Sequence, residues 1–188
     1  EEVERLGRAG VPGIWIQTSE PEDALAELSL MGDRHGDWGF LYWDPHQQLQ
    51  MGQAVAAASE PLQMRVDAPL AKFASSLELL RAIPNWAKTL YETPGSEGDR
   101  KTTTLFALSG WHRDEYIKNG ANVAALANLL LEAKRGIRDL DGSEEVNRSY
   151  VLIFLGPTTN IPIELQRLVM PVRHELPNRG ELWDVAEQ

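Results

Sequence analysis

The sequence predicts an α/β domain, a three-layer α/β/α sandwich around a mainly parallel five-stranded sheet. Three observations lead there. Short β-branched and aromatic runs alternate with stretches of helical period along the chain. The runs are apolar throughout instead of at every second residue, as in strands buried on both faces. No internal repeat or low-complexity tract competes with this order. A length of 188 residues suits one domain with a real core, so residues 1–188 are expected to form a single α/β domain.

The elements follow in order. Gly13 to Thr18 is the first strand, apolar and β-branched with a proline just before it. Ser19 and Glu22 then have capping-box spacing, and Pro21 falls near the first helical position, so a helix starts directly after the strand. Its apolar face is Ala24, Leu25, Leu28 and Met31, with Gly32 as its stop. Trp38 to Trp43 is an aromatic second strand ended by Asp44-Pro45, and residues 44–68 have too weak a periodicity for an assignment. A helix from about Pro69 shows Leu70, Phe73, Ala74, Leu77 and Leu80 on one face and should end at Pro84. Residues 94–99 read as a polar loop. Thr102 to Leu108 is the third strand, and a long helix after it presents Val123, Leu126, Ala127, Leu130 and Leu131. A charged loop over residues 139–148 leads to the clearest strand, Tyr150 to Leu155. Gly156 to Asn160 turns toward a short helix with Pro162 near its start, and Pro171 to Leu176 is the fifth strand. Asn178 and Glu181 repeat the capping-box spacing for a last helix. That helix begins close to residue 188, so the sequence is expected to be part of a longer protein.

Composition narrows the function. The longest apolar runs are too short to cross a bilayer, and the polar, charged start lacks the pattern of a signal peptide. There is no cysteine, hence neither a disulfide framework nor a thiolate metal site. Cytoplasm is the expected compartment. The net charge of -10 repels nucleic acid and anionic membrane, both of which bind through neutralised phosphates. The densest basic group, Lys134, Arg135 and Arg138, sits where it complements a helix dipole. Six tryptophans could form a stacking surface, although packing in a mixed α/β core is the reading favoured.

Two stretches carry a family resemblance. At the front stand Arg8-Ala9-Gly10-Val11-Pro12-Gly13-Ile14-Trp15-Ile16-Gln17-Thr18 with Glu20 and Glu22. At the back stand Tyr150 to Pro157, Asn160-Ile161-Pro162-Ile163-Glu164-Leu165, His174-Glu175-Leu176-Pro177 and Glu181-Leu182. In these the chain resembles the N-terminal domain of the AAA ATPases of algal chloroplasts and cyanobacteria, the spastin-like group. The resemblance follows the order of elements over most of the chain and is residue-level at the two ends; residues 30–100 do not share it. It implies a P-loop NTPase-like fold, a conventional AAA module downstream that carries ATP and Mg²⁺, and protein partners or self-association through AAA-type assembly.

The residues that would do chemistry are nevertheless replaced. A phosphate loop needs Gly-x-x-x-x-Gly-Lys-Ser/Thr after the first strand, because glycines let backbone amides wrap phosphate while the lysine meets its charge. That place holds Thr18, Ser19, Glu20, Pro21, Glu22 and Asp23, without glycine or lysine. The carboxylates suit the positive end of a helix dipole, worth ~0.3–1 kcal/mol each, and repel a triphosphate. The fold is therefore expected to be P-loop NTPase-like without a phosphate loop, and no cofactor is expected on this chain. The third strand lacks the acidic pair that would hold Mg²⁺; it leads instead into Ser109, Gly110, Trp111 and His112. Ser109 lacks the Gly-x-Ser-x-Gly elbow of a nucleophile.

The remaining candidates are His112 with Asp114, as an acid/base or metal pair, and Asn160 with Thr158 and Thr159, as a γ-phosphate sensor or, by preference, helix caps. Asp33, His35, Asp37, Asp44 and His46 have the composition of a Zn²⁺ or Mn²⁺ site but also of turns, and no metal is assigned. The function expected is that of a non-catalytic AAA N-terminal domain for assembly, partner docking or regulation of a downstream ATPase. The alternatives are a metal-dependent phosphoesterase using the carboxylates and histidines near the strand ends, and single-stranded nucleic-acid binding through Trp38, Trp43 or Trp111.

Overall fold

The computed structural model describes residues 2–35, 38–44, 48–51, 76–92, 103–135 and 149–174. The strands are β1 (Gly13–Gln17), β2 (Trp38–Asp44), β3 (Gln48–Met51), β4 (Thr103–Ser109), β5 (Ser149–Gly156) and β6 (Val169–Arg173). The helices are α1 (Glu2–Arg8), α2 (Pro21–Arg34), α3 (Ser76–Glu92), α4 (Asp114–Ile117) and α5 (Gly120–Arg135). They build one sheet in the order β3-β2-β4-β5-β1-β6. Five strands are parallel, as expected, and β3 adds an antiparallel edge by pairing with β2. That sixth strand lies in the stretch that the sequence left unassigned.

The sheet is covered on both faces, and the period of two in each strand says which residue goes where. Phe106 and Leu108 of β4, with Tyr150, Leu152 and Phe154 of β5, join Leu79, Ile83 and Trp86 of α3 and Leu126 and Leu130 of α5. Their neighbours Leu105, Ala107, Val151, Ile153 and Leu155 point the other way, to Leu6 of α1 and Ala24 and Leu28 of α2. Both parities are apolar because both meet a helix layer, which is why the central strands read as unbroken hydrophobic runs. Aromatic stacking fixes the α3 face: Trp86 lies on Phe106 at 5.4 Å and 5° between planes, and Trp15 on Phe154 at 5.5 Å and 22°.

Several boundaries differ from the sequence reading. Gly32 does not stop α2, which continues to Arg34; a Cβ there would sit 3.1 Å from Phe40 Cβ, so this glycine serves the close approach of α2 to β2. Pro84 does not end α3, since the buried face Leu79, Leu80, Ile83, Trp86 and Ala87 runs through it. The first part of the expected helix, residues 69–75, lies outside the described residues, as do the polar loop at 94–99, the charged loop at 139–148 and the last helix after Asn178. On α5 the buried face is Val123, Leu126, Leu129, Leu130 and Ala133, while Leu131 is exposed. No helix follows Pro162: successive turns bond Leu165 N–H to Pro162 O and Leu168 N–H to Leu165 O, and they deliver the chain to β6 two residues before the expected start. Helix α1, unforeseen, carries the exposed pairs Arg5–Glu2 and Arg8–Glu4 outward and buries Leu6. Among the described residues no helix is long and apolar enough to cross a membrane.

Candidate functional site

The carboxyl ends of parallel strands face the loops that could bind a ligand, above all where the strand order reverses. Here the connection leaving β1 runs to β2 on one side, while that leaving β5 runs to β6 on the other, so β1 and β5 flank the reversal. The residues at this point are Gln17, Thr18, Gly156, Pro157, Thr158 and Thr159, with His174 just past β6.

Their polar groups are joined to one another. Thr18 N–H donates to Gly156 O at 2.9 Å, and Thr18 Oγ1 accepts the N–H of Glu20 at 3.0 Å. The same hydroxyl lies 3.1 Å from His174 Nδ1, and His174 Nε2 faces Glu27 Oε1 of α2 at 3.5 Å. Thr18 Oγ1 thus accepts the Glu20 amide and shares a second hydrogen bond with His174 Nδ1, the donor of which is set by the imidazole tautomer. Beside this chain, Gln17 donates through Nε2 to Pro157 O and accepts at Oε1 from the Thr159 hydroxyl, both at 3.1 Å. Trp15 Nε1 donates to Thr158 O at 2.9 Å. The strand ends are thus stitched directly to each other.

Residues 18–23, where a phosphate loop would stand after β1, have the backbone of a helix start without the expected capping box. Glu20, not Ser19, is the N-cap; it makes no side-chain cap bond, and Pro21 is the first helical residue. Glu22 and Asp23 stand in the first turn, exposed, where the dipole favours them. Thr158, Thr159 and Asn160 cap no helix, since turns follow; Thr158 and Thr159 serve the network above, and Asn160 is exposed.

At the end of β4, His112 packs over β5. Its Nδ1 is 3.4 Å from Leu155 O, so that nitrogen carries the proton. A Cβ on Gly156 would fall 2.7 Å from His112 Nδ1 and 2.8 Å from its Cβ, so the imidazole occupies the space that only glycine leaves. Asp114 opens the short helix α4. Among the described residues no group of three His, Asp or Glu side chains could hold a metal ion. Of the acidic and histidine residues around the second strand, His35 is engaged by Glu4 Oε1 at 3.1 Å and Arg8 Nη2 at 3.3 Å, while Asp37 and His46 lie outside the described residues.

The tryptophans proposed for base stacking are core residues. Trp38 is 5%, Trp43 9% and Trp111 1% exposed, and a base cannot stack on a face already covered. Trp111 sits against Tyr116 at 5.1 Å and Trp43 at 6.4 Å, and its Nε1 is the one buried side-chain polar atom without a partner among the described residues.

His174 and Glu27 escaped the sequence reading. His174 stood inside an expected strand that was placed two residues late, and only the parallel register Gln17↔Arg173 brings it beside Thr18. Glu27 lies on the exposed side of α2, where it reads as a solvated charge.

A search of curated proteins found no match. The family model of the SpoVK-like AAA ATPase N-terminal domain matches residues 1–174, which is nearly the whole chain and ends on the histidine that closes the strand-end network. The match carries the AAA N-terminal domain and not the chloroplast or spastin-like subtype that the end motifs suggested. With a parallel sheet covered on both faces and this match across it, the chain belongs to the family of N-terminal domains of SpoVK-like AAA ATPases.

Proposed function

We propose that this domain does not hydrolyse ATP itself and that it docks partners for, and regulates, an ATPase module that follows it. The observation that supports this most is the occupancy of the sheet's reversal point. Thr18 Oγ1 and Thr18 N–H are committed to His174, Glu20 and Gly156, where a nucleotide-binding strand end would present free amides. Around it stand the exposed carboxylates of Glu20, Glu22 and Asp23. A triphosphate approaching this edge meets like charge and no lysine, and it would have to break bonds already made. ATP and Mg²⁺ belong, on this reading, to the following module, and the domain works through protein contacts, either to copies of the same chain or to a separate partner.

The test is a calorimetric titration of the isolated chain with Mg²⁺ and ATP. No binding heat is expected. A dissociation constant in the micromolar range would refute the reading.

A further inference from the structure

We infer that Thr18, His174 and Glu27 form a latch that holds the last residue of the family-matched domain to the sheet and so couples the domain to a module that follows. The inference rests on the proposed role beside a downstream ATPase. It starts from an asymmetry at the sheet edge. His174 is one residue beyond β6, at the end of the family match, yet its surroundings are those of an interior residue: its side chain is 16% exposed. Two hydrogen bonds hold it, and a carboxylate stands beside it. Its backbone N–H donates to Gln17 O at 3.0 Å, extending the ladder between β6 and β1 by one rung. Its Nδ1 shares a hydrogen bond with the Thr18 hydroxyl at 3.1 Å, and Nε2 lies 3.5 Å from Glu27 Oε1. The partners come from β1's exit and from the second turn of α2, so His174 ties the ends of β1 and β6 to a helix.

Each member is suited to this and to little else. Thr18 is 3% exposed, so its hydroxyl is not open to attack an outside substrate, and it already bears the Glu20 amide. Glu27 is 73% exposed, so its contact with the imidazole is a surface one that adds little to the two hydrogen bonds. β6 is the edge strand beside β1, bonded to a neighbour on one side only, and Pro171 has its nitrogen on the outer side, so the rung made by His174 N–H is one of the few that hold this strand. At the reversal point of the sheet, where related architectures read a ligand, this domain instead engages the residue that follows its last described strand.

The Arg173–His174 peptide bond lies inside the latch and is a trypsin site, while Arg167, exposed in the turns before β6, provides an internal reference. Limited trypsinolysis of the chain should show cleavage after Arg173 rising about three- to tenfold relative to Arg167 in Thr18→Val and His174→Ala, as expected for loss of one or two net hydrogen bonds. His174→Asn, which restores an acceptor near the Nδ1 position, should recover most of the protection. Thermal unfolding of each variant separates a released latch from an unfolded domain, and Glu27→Gln supplies a variant at an exposed position that does not threaten the fold. An unchanged Arg173 to Arg167 ratio in folded Thr18→Val overturns the latch. In the full-length protein, Thr18→Val should lower Mg²⁺-ATP hydrolysis by about threefold or more. Unchanged hydrolysis alongside faster Arg173 cleavage overturns the coupling. Absence of hydrolysis by the wild-type full-length protein refutes the proposed function instead, and the trypsin ratio still decides the latch.

Discussion

The Gly156 position shows how one atom governs the edge of this sheet. A methyl group there meets both the ring and the Cβ of His112 below 3.0 Å, and Cβ is anchored to backbone. Gly156→Ala should therefore destabilise the domain by about 1–3 kcal/mol in urea unfolding, as overpacking does. His112→Ala should not rescue it, because the Cβ contact survives the truncation. A rescue would show that only the ring is in conflict. Tyr150 makes the second residue-scale case. Its hydroxyl donates to Leu129 O at 3.0 Å from a buried position, and burial pushes the phenol above its ordinary range, with Glu132 adding to the effect. The folded pKa is the higher one, so the neutral phenol's contribution is complete below about pH 10 and is lost as pH rises toward the folded value, because the unfolded chain ionises first. The urea midpoint should fall as pH rises above about 10, and Tyr150→Phe should remove part of that fall; equal slopes in both proteins would exclude Tyr150 as the cause.

At the scale of elements, α3 carries a proline in its interior at a cost of about 3 kcal/mol in an isolated helix. It persists because Trp86 and Ala87, beyond the proline, belong to the same buried stripe as Leu79, Leu80 and Ile83, and burying a large side chain returns about 1.5–3 kcal/mol. Pro84→Ala should then raise stability by about 1–2 kcal/mol, the recovered helical bond less the entropy gained by the unfolded chain, measured by thermal and urea unfolding. Destabilisation would mean that the proline bend itself positions Trp86 on Phe106. The same element shows what the sequence could state. The period of its apolar face was legible at Leu80, while its end was not, because a local breaker was weighed without the tertiary burial that overrides it. The turns of residues 163–168 err in the opposite sense: Pro162 and a polar start looked helical, but Leu165 is needed 1% exposed beneath β6 and the chain turns to place it.

On the scale of the whole molecule, the net charge of -10 and the hydrogen-bonded strand ends both support the proposed reading, in which the domain works through protein contacts. Calorimetry with Mg²⁺ and ATP tests this for the isolated chain, and hydrolysis by the full-length protein tests the coupling. Much of the candidate site was legible as a substitution: Thr18 to Asp23 cannot wrap phosphate whatever the fold around them. What fills the place was not legible, because Thr18 and His174 are far apart in sequence and meet only when β6 pairs with β1.

The sequence by itself determined the layered α/β class, the buried parallel strands and the absence of a Gly-Lys phosphate-loop motif from residues 18–23. Each of these follows from local composition and period, which a chain carries wherever its parts end up. Tertiary structure alone decided the antiparallel edge strand, the continuation of α2 and α3 through Gly32 and Pro84, the burial of Trp38, Trp43 and Trp111, and the joining of Thr18, His174 and Glu27. These depend on register between strands distant in the chain, and burial against a neighbour outweighs the smaller local preferences that a sequence displays.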